Sequence, residues 1–136
     1  MKLLLIYCDE FSFKTTVKTL DSVPENDMEK TYKNIQVAFI HMEEDDKERE
    51  VEVARKLVKN IKWIARKNNT EKIILHSFAH LSESKADPLF TNKFLDQMEE
   101  RLRNTGFDIY QTPFGYFLDL KVDAPGYSSA RVFKDI

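Results

Sequence analysis

The run Ile73-Ile74-Leu75-His76-Ser77-Phe78-Ala79-His80-Leu81-Ser82 constrains this chain more than any other stretch. Three consecutive aliphatic residues with no polar alternation need cover on both sides, as in a strand of an α/β sheet lying between layers. Glu71-Lys72 marks its start, and Ser82-Glu83-Ser84 begins a solvated loop. A buried strand that stops at small polar residues and two histidines delivers chemistry at its end, so the segment from His76 to Ser82 is the candidate site.

The preceding sequence supplies the cover. Leu3 to Tyr7 reads as a first strand ended by Asp9-Glu10, and its apolar run is too brief for a signal peptide. Phe11, Phe13, Thr15 and Val17 alternate with Ser12, Lys14, Thr16 and Lys18, predicting a second strand in a hairpin with the first. Asp21 to Lys33, with Pro24 and Asn26, reads as a surface loop, and Ile35 to Ile40 as a further strand. The acidic run Glu43 to Asp46 lacks the spaced ligands and glycine of a Ca²⁺ loop, so it is expected to cap a following helix.

That helix spans about Lys47 to Asn68. At 100° per residue, Ala54, Leu57, Val58, Ile61, Ile64 and Ala65 form one apolar stripe, and Arg55, Lys59, Lys62 and Arg66 form a basic stripe beside it. Trp63 falls on the outer side. An indole there calls for cover by a subunit, a neighbouring domain, a nucleic acid or a terminal segment of the chain itself. The basic stripe is either an ordinary solvated face or a nucleic-acid-binding surface. The charge balance divides accordingly: residues 1–50 carry twelve acids and seven Lys/Arg, residues 51–136 eleven acids and fourteen Lys/Arg. An anionic partner is therefore expected to approach the second half.

Beyond the central strand, Asp87-Pro88 gives an N-cap and a first-turn proline for a second helix closed by Gly106, with Phe94, Met98 and Leu102 inward. Phe107 to Tyr110 is a short strand. Phe114, Tyr116, Leu118 and Leu120 alternate with Phe117, Asp119 and Lys121 in a last one, and Ser128 to Ile136 reads as a short tail with helical character. This order predicts an α/β fold, a single domain over residues 1–136 with a mixed β-sheet and two main helices. A chain with 42% hydrophobic and 32% charged residues fits one soluble domain, and no segment approaches a bilayer span. The lone Cys8 allows no internal disulfide and agrees with a cytoplasmic setting.

Spacing alone assigns no reaction. His76 and His80 lack a convincing third zinc ligand, Ser77 and Ser82 lack a glycine-flanked elbow, and the glycines at 106, 115 and 126 are isolated, so no metal and no cofactor is expected. Resemblance goes further. Phe78-Ala79-His80-Leu81-Ser82 followed by Pro88, with Pro113-Phe114-Gly115-Tyr116 about thirty residues on, resembles the paired signatures of the archaeal threonyl-tRNA synthetase N-terminal editing domain. The order of the remaining elements agrees over nearly the whole chain.

The resemblance implies a D-aminoacyl-tRNA deacylase-like fold, a homodimer, and hydrolysis of serine wrongly esterified to threonine tRNA. Its partners would be the acceptor end of tRNA(Thr) and the catalytic part of threonyl-tRNA synthetase, in cis or in trans. It implies His80 as the catalytic group, and Phe78, Ala79, Phe114, Gly115, Tyr116, Phe117 and Tyr127 as substrate-binding residues. This chain departs from the family at several polar positions. Leu118 stands where lysine is common, Tyr127-Ser128 where histidine and proline follow a glycine, Arg131 for a glutamate, Tyr7-Cys8-Asp9 for His-Ser-Asp, and Ser77 for a proline. Two readings follow: a hydrolase that relies on backbone amides and the tRNA's terminal hydroxyl, or a non-catalytic module that holds the acceptor end or a synthetase partner.

Overall fold

The computed structural model describes all 136 residues. Its longest element is β1 (Lys2–Lys18), which pairs antiparallel with β2 (Glu29–His41) from Lys2 opposite His41 to Lys14 opposite Glu29. From β2 the chain crosses through α1 (Glu50–Lys67) to β3 (Lys72–Ser77), and through α2 (Pro88–Arg103) to β4 (Asp108–Gln111). Both crossovers give parallel pairs, as a connection through a helix allows. The last two strands return to the free edge of β1. There β5 (Tyr116–Asp123) pairs with Glu10 to Lys18, and β6 (Arg131–Asp135) pairs with Lys2 to Ile6. The order is thus β4-β3-β2-β1-β5, with β6 beside the first part of β1.

The expected hairpin between residues 3–7 and 11–17 is instead this single strand. Its alternation changes phase at Asp9-Glu10, both exposed, so that Cys8 and Phe11, three apart, pack into one core cluster. Asn34, adjoining this point on β2, adopts a left-handed φ of 53°. Two further expectations are corrected by pairing across the sheet: β2 begins at Glu29, within the expected loop, and the tail forms a 3-10 turn at Ser128–Ala130 and then β6 rather than a helix. A tail beside an unpaired edge gains backbone hydrogen bonds as a strand that it would not gain as an isolated helical turn.

Each sheet face has its own core. On one face Leu3, Leu5, Ala38, Ile40, Ile73 and Leu75 lie beneath Leu57, Ile61 and Ile64 of α1 and Phe94, Met98 and Leu102 of α2. On the other, Phe11, Phe13, Ile35, Val37, Phe39 and Ile74 pack together, with Leu118 and Leu120 of β5 against them. The aliphatic run at 73–75 is therefore consumed on both sides. The apolar stripe of α1 is buried as its spacing predicts, and Asp87 caps α2 by accepting from the Phe90 amide at 2.9 Å.

The acidic run behaves differently from its sequence expectation. It closes a 3-10 turn at Glu44–Lys47, in which the Glu43 amide donates to Asp46 at 2.7 Å, and α1 starts later, at Glu50. Glu43 and Asp46 also each accept from the Met1 ammonium at 2.9 Å, and that ammonium donates to the Ile136 carbonyl as well. These acids tie both ends of the chain to the end of β2. Among the core residues, Leu57 is fully buried between α1 and the sheet. Leu57→Ala should lower unfolding stability by about 2–5 kcal/mol in chemical denaturation, through lost transfer energy and a cavity that neighbours only partly fill.

Candidate active site

Three chain segments converge at the carboxyl end of β3. The β2 ladder extends one step beyond the strand, with the Phe78 amide donating to the Ile40 carbonyl at 2.9 Å, and the loop then returns so that the Ala86 amide meets Met42 at 3.0 Å. On the β4 side the Thr112 amide donates to Leu75 at 3.0 Å. The turn that follows reaches β1, where the Thr19 amide donates to the Gly115 carbonyl at 2.8 Å. Gly115 has φ 84°, and a Cβ there would lie 2.7 Å from the Val23 side chain, so both backbone and space require glycine.

Between these segments lies a cavity of about 280 Å³. His80 and the 113–117 turn, about thirty residues apart in sequence, both line it. Of the eight residues expected to catalyse or bind, six are at its wall: Ala79, His80, Phe114, Gly115, Tyr116 and Phe117. The other two lie elsewhere. Phe78 turns into the second core, its ring 5.1 Å from Phe39 and 4.9 Å from His80, and its amide is used by Ile40. It supports His80 from behind. Tyr127 precedes the 3-10 turn into β6 and packs with Tyr7, ring centroids 6.5 Å apart. The return of the tail to β1 carries it away from the cavity. Arg55, Lys59, Lys62 and Arg66 line a separate shallow groove on α1.

Other lining residues were not evident as such in the sequence. Thr19, Thr91 and Thr112 bring hydroxyls, and Lys85 is the one permanently charged side chain among lining residues that include no carboxylate. Nothing in the local sequence marks Lys85, since its place follows from the path of the 78–87 loop. His76 is buried with Nδ1 2.9 Å from the Thr112 hydroxyl. Burial, and secondarily the neighbouring His80, lower its pKa to about 4, so the ring is neutral at neutral pH. His76 and His80 have no third His, Cys, Asp or Glu with which to hold a metal ion. The amides of Ala79, His80, Phe114 and Gly115 have no hydrogen-bond partner within the chain. They form a set of backbone donors beside a small cavity.

The loop carrying His80 is fixed from below. His41, fully buried at the end of β2, accepts from the Leu81 amide at Nδ1 (2.9 Å), so its proton is on Nε2, which donates to the Ser84 carbonyl at 2.7 Å. The Ser82 hydroxyl donates to Glu43 at 2.7 Å. Across the cavity, the Tyr116 hydroxyl donates to the Pro24 carbonyl.

Residues 1–136 match the sequence pattern described as the archaea-specific editing domain of threonyl-tRNA synthetase. The chain belongs to that family. The editing domain is 32% identical over 139 residues to a threonine–tRNA ligase of Thermococcus kodakarensis and 31% identical over 140 residues to one of Staphylothermus marinus. Each alignment covers all of this chain and 22% of the ligase, so the editing domain spans about a fifth of the length of these relatives. In fold it matches the c-Myc DNA unwinding element binding protein, with a TM-score of 0.73 and 12% identity over all of this chain and 99% of that one. The fold class is the one the resemblance implied, a D-aminoacyl-tRNA deacylase-like mixed sheet with two main helices. No helix of the editing domain is long and apolar enough to cross a membrane.

Two groups at the site's base give the editing domain a pH signature. His76 has its folded pKa depressed from 6.5 to about 4, so its contribution to stability is complete above 6.5 and is lost as pH falls toward 4. For Glu43, burial pushes upward, but the Ser82 hydroxyl and the Met1 ammonium prevail and bring the carboxylate from 4.5 to about 2. Its contribution is complete above 4.5 and is lost toward 2. Denaturation midpoints measured against pH should therefore fall in two steps on acidification, with His76→Gln removing the upper step and Glu43→Gln the lower.

Proposed function

We propose that residues 1–136 act as one editing domain that hydrolyses the ester of serine mistakenly attached to threonine tRNA. The observation that carries this reading is the cavity shared by His80 and the 113–117 turn, among whose lining residues Ala79, His80, Phe114 and Gly115 keep amides with no partner in the chain. Serine differs from threonine by one methyl, which binding alone discriminates by only about 1–3 kcal/mol. A second, hydrolytic site is the physical answer to so small a difference, and a volume near 280 Å³ suits an aminoacyl group at the end of a ribose.

In this reading the ester carbonyl faces the free amides of Ala79 and His80, which hydrogen-bond its oxygen as negative charge develops there. His80 holds the attacking water. His76, uncharged above about pH 4 and joined to Thr112, fixes the cavity floor. Lys85, which makes no ion pair in the chain, supplies positive charge for the phosphate of the terminal nucleotide. Phe117, largely exposed at the rim, offers a face to the adenine. The proposed partners are the tRNA(Thr) acceptor end, a second copy of the chain in a homodimer, and the aminoacylating part of threonyl-tRNA synthetase, in cis or in trans. The proposed setting is the cytoplasm.

A non-catalytic reading has one observation in its favour. The lining residues include no carboxylate, and Leu118 places an apolar side chain at the wall, so imidazole is the only ordinary side-chain base present. The same cavity could then hold an acceptor end without cutting it. Release of serine from mischarged threonine tRNA separates the two. The wild-type chain should accelerate it, with His80→Ala about 100-fold slower in kcat. Equal release by both at the uncatalysed rate rejects the hydrolase. Lys85→Met should raise KM several-fold with kcat little changed, as expected of a group that contacts the phosphate in ground and transition states alike.

A further inference from the structure

The outer face of α1 carries positive charge that the fold does not use. From Val53 to Lys67 the helix has six Lys/Arg and no acid. Arg55, Lys59, Lys62 and Arg66 stand at intervals of four, three and four residues, a straight line along the helix about 16 Å long. None of the four makes an ion pair, whereas Lys56 is held by Glu52. The line edges a shallow groove whose other members are Val58 and Trp63. Trp63 remains 44% exposed even though β6 passes near it, and the ammonium groups of Lys67 and Lys134 lie 5.4 and 5.5 Å from its ring centroid.

The geometry points to this groove as a binding surface for the phosphate backbone of RNA, with Trp63 as a stacking platform for a base or ribose. A row of evenly spaced, unpaired cations complements a polymer with regularly repeated charge, and an aromatic face among them adds contact without sequence preference. A lipid surface is a poorer match: a membrane-bound helix presents its apolar face, and that of α1 is already buried in the core. Placement supports RNA as well. Ile40 and Met42, at the end of β2, line the cavity, and α1 follows them, so the helix starts at the cavity end of the sheet and its cations lead away from it. A tRNA whose 3′ end enters the cavity would have its stem within reach of this row. The inference rests on the proposed function only for that choice of RNA.

Uncharged tRNA binding to the wild-type chain and to the triple variant Arg55→Gln, Lys59→Gln, Lys62→Gln tests it without hydrolysis. Arg66 is left intact because it also covers Phe107, 5.5 Å from that ring. The variant should bind more than about 10-fold more weakly at low salt, with the slope of log affinity against log salt reduced by about three, one per phosphate contact. Trp63→Ala should weaken binding about 10-fold with the slope unchanged. Wild-type affinity and slope in the triple variant overturn the proposal, as does cation-dependent binding to phosphatidylserine vesicles without binding to tRNA. Serine release from a short aminoacylated acceptor fragment should be unaffected by the triple change, because none of the three residues lines the cavity. An inactive chain that still binds tRNA through α1 rejects the hydrolase and leaves this surface standing, and an active chain indifferent to the triple change does the reverse.

Discussion

The backbone ladder of β1 is the constraint on which the rest depends. One edge pairs with β2 along most of its length, and the other is shared in succession by β6 and β5. That strand therefore holds the tail, the return from the cavity turn and the start of the parallel sheet in one frame. The change of phase at Asp9-Glu10 lets one strand serve two cores: Leu3 and Leu5 meet the helices, while Cys8, Phe11 and Phe13 meet the opposite cluster. Because β5 is held against the far half of β1, the 112–115 turn that leads into it is brought beside the end of β3. The cavity is the space this arrangement leaves.

Rigidity at the site comes from buried polar groups with few alternatives. His41 can satisfy the Leu81 amide and the Ser84 carbonyl together only as the neutral tautomer with its proton on Nε2. Glu43 joins the same loop to the amino terminus through Ser82 and the Met1 ammonium. The segment that carries His80 is thus fixed to the end of β2, although it has no regular secondary structure of its own. Such a loop keeps several amides free of internal partners without losing its position, which is what a site built on backbone donors needs.

Charge is distributed in a complementary way. The cavity wall has hydroxyls, imidazoles and one ammonium, while the surplus of unpaired cations lies along α1. The proposed ligand, a nucleic acid carrying an aminoacyl group at its end, has the same division, with a small polar ester at the tip and repeated phosphates behind.

The sequence by itself determined the two-sided burial of residues 73–75, the inward stripe of α1, the Asp87-Pro88 start of α2 and, through the paired signatures around His80 and Gly115, the family. The first three are local, each depending on residue type and on adjacent or periodic positions, while the family is carried by two motifs about thirty residues apart. Only the tertiary structure decided that residues 2–18 form one strand, that the tail is β6, that Phe78 faces a core and Tyr127 lies beside Tyr7, and that Lys85 reaches the cavity. Those outcomes depend on which edge is left unpaired and on how a loop crosses it, and strand pairing joins residues far apart in sequence. Local periodicity carries no record of that.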